Sequence, residues 1–599
     1  MQEIGNLRDS QGSQIKRQFN VFPLCLPSAF WAFGKAKKRK NIGTESDGRK
    51  NLGKVGVFLR KMFLAFAIKS DFSVVLQMKI PKKEVMVKYP IGIQTFENII
   101  REGYLYIDKT SWVFQLVNEG KYYFLSRPRR FGKSLLLSTM ESYFLGKKEL
   151  FQGLAIGELE KDWMAYPVLR MDFNARDYVD LGSLVAEFNK HLEYWEKDYG
   201  DEFKDREPEE RFQHVIDKAM EKTGKPVVIL VDEYDKPLLQ VADNAELQES
   251  YRRKLKSFYS VVKTMDSKIR FAFFTGVTKF SKVSIFSDLN NLKDISLNHA
   301  YAELCGITEK EIHEHLDEQV NQMAEANHLT KEDCYAKLKE NYDGYHFSEE
   351  SVGVYNPFSL LNALCDQRFR DYWFETGTPT ILVETLKRTN YELENLTREE
   401  VSSDLLGSLD SIAANPLPLM YQSGYLTIKD YNPRFMTYRL GFPNGEVERG
   451  FSMFLFSHYV PIRQEKTAFF IMKFVEEIEN GMPESFMQRL EALFADQNYQ
   501  IAGDAELYFH NAVTVIFKLL GFYVNVERHT SDGRMDMVVQ TKDYIYILEF
   551  KIDHSSEIAL AQIEEKQYAK PFAKDSRRLY KIGINFSSKT RRIEDWCIG

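Results

Sequence analysis

Phe124-Leu-Ser-Arg-Pro-Arg-Arg-Phe-Gly-Lys-Ser134 is the stretch on which the fold of this chain turns. The apolar run Tyr122–Leu125 leads into it as a strand, and the pattern Leu135–Phe144 leads out of it as a helix. A glycine, a lysine and a hydroxyl residue at a strand-to-helix junction are the context of a phosphate-binding loop. Gly132 lets the backbone approach an anion, and the helix N-terminus faces it. Lys133 is expected to reach the β- and γ-phosphates, and Ser134 to ligate Mg²⁺. The general pattern is Gly-x-x-x-x-Gly-Lys-Ser/Thr, and Arg127 stands where its first glycine belongs. A plain strand–helix junction with a lysine near its start is the other reading of these residues.

Working outward, Val227-Val-Ile-Leu-Val231 reads as a buried strand that ends in Asp232-Glu233. Two adjacent acids there are costly to bury unless they have work to do. In ATP-hydrolysing sites the first holds Mg²⁺ through water and the second polarises the attacking water. The alternative is a solvated strand end. Thr275, closing the strand Ile269–Phe274, is placed to sense a γ-phosphate, although threonine is common in strands for its own reasons. Arg129 and Arg130 are read as stabilising phosphate charge, or else as facing solvent or a partner subunit. Phe131 and Leu135 complete the expected ATP contacts of the loop.

The strands Tyr122–Leu125, Val168–Phe173, Val227–Val231 and Ile269–Phe274 alternate with helical patterns such as Tyr251–Met265. That alternation predicts an α/β fold around a mostly parallel, covered sheet. The 599 residues are enough for several domains. We expect a nucleotide-binding domain over 86–300, a mainly helical lid or connecting region over 301–490, and a separate unit over 500–590. Residues 1–80 are expected to be a flexible tail or an extension upstream of a start at Met78, with a basic cluster at Lys35–Lys40.

Composition narrows the function classes. The chain is 44% hydrophobic and 28% charged, as ordinary globular proteins are. Its net charge of −6 argues against a nonspecific nucleic-acid coat, so nucleic-acid contact must come from a local patch. The best apolar stretch, Val55–Met78, is interrupted by Arg60, Lys61, Lys69 and Asp71, so no membrane span is expected. Five cysteines without metal-ligand spacing point to free thiols in a reducing compartment, hence the cytoplasm.

The last hundred residues carry a second constellation. A helix is expected over Glu506–Leu520 and strands over Phe522–Glu527, Met535–Val539 and Tyr544–Phe550. A helix over Ile558–Tyr568 and a strand over Leu579–Phe586 complete an αβββαβ order. Asp536 precedes Glu549-Phe-Lys551 by thirteen residues. Alternation puts Glu549 and Lys551 on one face of their strand, and a neighbouring strand can bring Asp536 beside them. Two carboxylates hold a hard ion such as Mg²⁺, and a lysine beside it can orient water and stabilise charge on a scissile phosphate. A structural Glu–Lys pair is the bland alternative. Gln562, with Lys566 one turn on, faces the same place, and Glu506 is a candidate third carboxylate. Lys570 to Arg592 holds eight Lys/Arg and one acid, read as a phosphate-contacting patch or a solvated surface.

Together, Tyr89-Pro-Ile-Gly-Ile93, Tyr106-Ile-Asp-Lys109, the Phe124–Ser134 stretch, Val231-Asp-Glu-Tyr-Asp-Lys-Pro237 and Asn341-Tyr-Asp-Gly-Tyr345 resemble the AAA-ATPase-like family of bacterial and archaeal proteins. That family's own version of the loop includes Arg127. The C-terminal unit resembles the PD-(D/E)XK nuclease superfamily. The resemblance implies an AAA-like P-loop ATPase with ATP and Mg²⁺ at Lys133, Ser134, Asp232 and Glu233. It also implies a restriction-endonuclease-like domain with metal at Asp536 and Glu549 and Lys551 beside it. The expected activity is ATP-dependent processing of nucleic acid, read as DNA, with a homo-oligomer kept open. The alternative is an ATP-driven regulatory switch whose nuclease-like domain only binds nucleic acid or protein.

Overall fold

Val227–Asp232 is buried along its whole length, as a strand must be when helices cover both faces of a parallel sheet. It is β3 of a five-stranded sheet with β1 (Tyr122–Ser126), β2 (Val168–Asp172), β4 (Ile269–Gly276) and the short β5 (Lys293–Asp294), in the order β2-β3-β4-β1-β5. Each neighbouring pair is parallel. The strand bearing the acids Asp232 and Glu233 is therefore separated by β4 from the strand that feeds the Arg127–Ser134 loop. Helices α1 (Lys133–Phe144) and α2 (Ala245–Thr264) belong to the layers around this sheet.

The computed structural model describes residues 87–279, 286, 291–374, 380–406, 415–460, 464–495, 505–531 and 534–599. Lys35–Lys40 and Val55–Met78 lie outside the described residues, as do the side chains of 528–531 and 534–536. Val87–Gly599 forms one unit. Among the described residues no helix is long and apolar enough to cross a membrane.

The region after the sheet is largely helical, but it also holds strands that periodicity did not reveal. The two-residue strands β6 (Ile307–Thr308) and β7 (Val354–Tyr355) pair antiparallel. The strands β8 (Glu400–Ser402), β9 (Thr427–Asn432) and β10 (Thr437–Gly441) form a sheet ordered β8-β10-β9. These are too short or too polar to stand out against the helical background. The long helix α3 (Gly445–Tyr459), capped by the Asn444 side chain on the amide of Val447, follows them.

The C-terminal unit opens on α4 (Ala505–Leu520) and continues through β11 (Asn525–Ser531), β12 (Arg534–Gln540), β13 (Tyr544–Ile552), α5 (Ser556–Glu565) and β14 (Arg578–Ser587). Two details depart from expectation. The first strand begins at Asn525, because Phe522 to Val524 turn the chain out of α4. A further strand, β15 (Arg592–Ile598), pairs antiparallel with β14. Its charges hid it in the sequence, and they suit a strand at the sheet's edge. Phe509 and Phe517 of α4 pack on Phe550 from one face of β13. Ile545 and Ile547, on the other face, cluster with Ile563 of α5.

Candidate nucleotide cleft and candidate metal centre

Gly132 caps α1 with φ 88°, a left-handed conformation that glycine adopts without cost. A Cβ there would meet nothing within 4 Å, so backbone conformation and not crowding selects the residue. Lys133 follows with only 4% exposure. Its Nζ donates to the carbonyls of Arg127 and Pro128 at 3.0 and 3.2 Å and lies 3.4 Å from Glu233 Oε1. Glu233 itself has φ 53°, rare for a residue with a side chain. Such strain is tolerated where the surroundings hold it, often at sites of function.

Asp232 is fully buried. Its Oδ1 accepts from Thr275 Oγ1 at 2.8 Å, while Oδ2 has no hydrogen-bond partner. Burial raises its pKa, against the opposing pull of the Ser134 hydroxyl, and the charge of Glu233 adds to the rise. Thr275 thus bridges β4 to the acid of β3, which the interposed strand order makes geometrically natural. Asp235 plays a part the sequence reading did not assign. It is fully enclosed, and its carboxylate accepts from the Val277 amide at 3.2 Å and from the amide and hydroxyl of Thr278 at 2.6 and 2.5 Å. Burial first, and then the Glu233 charge, push it up to about 6. Its position within Val231–Pro237 was the only available signal.

Lys133 and Glu233 edge a cleft of about 870 Å³, a volume suited to a small-molecule ligand. Arg129, Arg130, Gly132, Lys133, Ser134, Leu135 and Glu233 line it, with Pro90 to Gln94, Asp172, Asn174, Phe358 and Trp373 on the surrounding walls. Asp232 and Thr275 sit behind this lining. Phe131 turns away altogether: its ring is buried against Tyr345 and Phe347, at 4.7 and 5.5 Å between centroids, so only its backbone is available to a ligand. Arg129 and Arg130 are exposed, and the Arg130 guanidinium lies 4.8 Å from the Phe358 ring centre.

Arg127 has the structural role that a glycine at this position could not fill. It is 1% exposed. Its guanidinium donates to the carbonyls of Ser126, Ser296 and Tyr301 at 2.9, 2.7 and 3.1 Å and sits 3.9 Å above Phe347. It therefore ties the loop to residues far along the chain. Arg127→Met should strip three carbonyls of a donor, two of them in buried contacts, and cost about 3 kcal/mol or more in a urea unfolding experiment. A loss below about 1 kcal/mol would remove this account. The Tyr106–Lys109 motif is likewise structural: Asp108 accepts from the Thr110 amide and hydroxyl and the Ala155 amide, and Lys109 pairs with Glu311 at 2.5 Å.

In the C-terminal sheet, Asp536 of β12 lies directly opposite Glu549 of β13. Glu549 is fully buried. Its Oε1 accepts from Lys551 Nζ at 3.0 Å, and its Oε2 has no hydrogen-bond partner. Lys551 also donates to Gln562 Oε1 from α5. An orphaned carboxylate oxygen with no water access fits a site built to take a hard cation. Among the described residues no three His, Cys, Asp or Glu side chains gather as a metal cluster. The candidate centre therefore rests on Glu549 and the register position of Asp536. Glu506 is exposed in the first turn of α4, and Lys566 is exposed at the end of α5, over the Tyr568 ring. The basic run is partly neutralised: Arg577 pairs with Asp575 at 2.7 Å, and Lys581 pairs with Glu564.

Gly583, the β14 partner of Glu549, makes this centre possible. A Cβ there would come 2.2 Å from the Ser556 carbonyl and 2.7 Å from the Leu560 amide, so α5 lies against bare backbone. Gly583→Ala should lift the helix, part Gln562 from Lys551 and cost about 2 kcal/mol. The unfolding midpoint reported by Trp596 on β15 checks it, and an unchanged midpoint would refute it.

Comparison with known proteins agrees with this two-part layout. The family profile described as "Predicted AAA-ATPase" matches residues 90–286, and that of the PD-(D/E)XK nuclease superfamily matches residues 504–596. A relative in Azotobacter chroococcum mcd 1, named "Uncharacterized protein in vnfD 5'region", is 37% identical over 530 residues, covering 84% of this chain and 98% of its own length. The chain belongs to the AAA-ATPase-like family and carries a PD-(D/E)XK nuclease-superfamily domain near its C-terminus.

Proposed function

We propose that the chain binds and hydrolyses ATP in the cleft above β1, β3 and β4 and uses it to control Mg²⁺-dependent cleavage of DNA by the C-terminal domain. The observation that carries the nucleotide half is the pairing of Lys133 with Glu233 at the cleft, above a buried Asp232 with an unpartnered oxygen. Lys133 and the amides at the start of α1 neutralise phosphate charge. Ser134 and Asp232 hold Mg²⁺, which supplies Lewis-acid stabilisation of the phosphate oxygens when bound. Glu233 orients water, and Thr275 holds Asp232 in place through the 2.8 Å bond.

In the C-terminal domain, Glu549 and Asp536 hold the divalent ion. Lys551 is placed by Glu549 and Gln562 to stabilise charge on a phosphodiester. On this reading 86–300 is the ATPase domain, 301–490 the connecting region, 500–590 the nuclease domain, and the protein works in the cytoplasm. The closed Lys551–Glu549–Gln562 arrangement also favours a second reading, a nuclease fold used only for binding. The deciding assay is cleavage of single- and double-stranded DNA by the full chain with Mg²⁺, with and without ATP. No cleavage of any form under either condition would sink the nuclease half.

A further inference from the structure

The segment Asp371 to Phe374 touches the phosphate loop at one side and α3 at the other. Trp373 lines the cleft, and its indole Nε1 donates to the carbonyl of Arg129 at 3.3 Å. Three contacts fix the same segment to α3. The Trp373 amide donates to Glu446 Oε1 at 2.7 Å. Asp371 pairs with Arg449 at 2.5 Å. The Phe374 ring fills the place of a side chain at Gly450, where a Cβ would meet it at 2.4 Å. Glu446, Arg449 and Gly450 lie within the first two turns of α3.

From there the contacts run on without a break. α3 packs along α4, the first helix of the nuclease-like domain. Glu448 approaches Lys518 at 3.7 Å, and the Arg449 guanidinium lies 5.4 Å from the Phe522 ring centre at the end of α4. On its other side α4 places Phe509 and Phe517 on Phe550, at 6.0 and 6.2 Å between centroids. Phe550 sits between Glu549 and Lys551 in β13. Packed side chains of this kind transmit displacement because close-packed interiors do not absorb it.

We propose that Trp373 is a positioning residue through which the phosphate loop controls the metal-binding strand, by way of Glu446, α3, α4 and Phe550. The proposal rests on the reading that the cleft binds ATP. A nucleotide that shifts the Arg129 carbonyl changes the partner of the Trp373 indole, and the segment 371–374 carries that change to α3. Glu446 is suited to the joint because it is buried to 1% exposure and accepts from a backbone amide. Burial pushes its pKa up to about 8, and glutamine keeps an oxygen that can accept from the Trp373 amide without carrying a charge.

The experiment uses the full chain, ATP with Mg²⁺, equilibrium binding of ATP, and amide hydrogen exchange across 505–520 and 544–552. In the unaltered protein ATP should change exchange in both segments by threefold or more. Glu446→Ala removes the acceptor outside the cleft and should abolish that response while ATP still binds. Glu446→Gln should restore it. Should Glu446→Ala not fold, Arg449→Met, which breaks the neighbouring pair with Asp371, should reduce the response in its place. ATP binding without an exchange change in the unaltered protein overturns this proposal and leaves the nucleotide reading standing. An undiminished response in Glu446→Ala or, where that variant does not fold, in Arg449→Met overturns it too. No ATP binding at all removes the nucleotide reading, and this proposal with it.

Discussion

Lys133→Met should lower ATP hydrolysis by about 10²-fold or more, the scale expected when a positioned charge is removed from a reacting phosphate. The side chain is almost enclosed, and its ammonium contacts two loop carbonyls and Glu233. Methionine keeps the volume and removes the charge, so the loop keeps its packing. The lost interaction matters most once water is excluded, because the same charge acts more strongly in a low dielectric. The variant also deprives Asp232 of a nearby cation that lowers its pKa, and its charged form becomes harder to maintain. Phosphate release measured beside circular dichroism separates the effect from misfolding. A folded variant that hydrolyses ATP at the unaltered rate would end the assignment of Lys133.

Glu549→Gln and Lys551→Met should each reduce Mg²⁺-dependent DNA cleavage by about 10³-fold if the centre is catalytic. Stability distinguishes that role from a structural ion pair. Lys551→Met leaves the Glu549 carboxylate buried without its cation, a change that costs about 3–5 kcal/mol. The double variant Lys551→Met/Glu549→Leu removes both charges and should recover most of that stability, since replacing a buried pair by apolar groups is often neutral. Cleavage should stay absent in the double variant. If cleavage returns with stability, the pair is structural and the assignment of Glu549 and Lys551 to the cleavage chemistry fails.

The parts of the fold that were legible in the sequence were those governed by neighbours in the chain. The strands Tyr122–Ser126, Val227–Asp232 and Ile269–Gly276 announced themselves because covered parallel strands are largely continuous apolar runs, while Val168–Asp172, at the sheet's edge, alternates buried and half-buried residues. Lys133, Ser134, Asp232 and Glu233 stood out because strand ends are where a buried run gives way to polar residues. In the C-terminal domain, period-two alternation was enough to put Glu549 and Lys551 on one face, and the register opposite Asp536 followed the expected pairing. The edge strand β15 and the small sheet β8-β10-β9 escaped because half-exposed strands with charged residues carry no such run.

The sequence by itself determined the chemistry on offer: a glycine-lysine-serine loop at a strand-to-helix junction, a pair of acids on another strand, and a second acid–lysine set near the C-terminus. Tertiary structure decided how each is held. It showed Arg127 as a buried tie to Ser296 and Tyr301, Phe131 turned toward Tyr345, and Trp373 poised between Arg129 and Glu446. Those partners lie from about seventy to almost two hundred and fifty residues apart in the chain. Local patterns record which residues are buried and on which face, because propensity and periodicity act over a few residues. They carry no record of which distant side chain arrives to satisfy a buried donor. That choice is made only when the chain closes on itself and every enclosed polar group must find a partner.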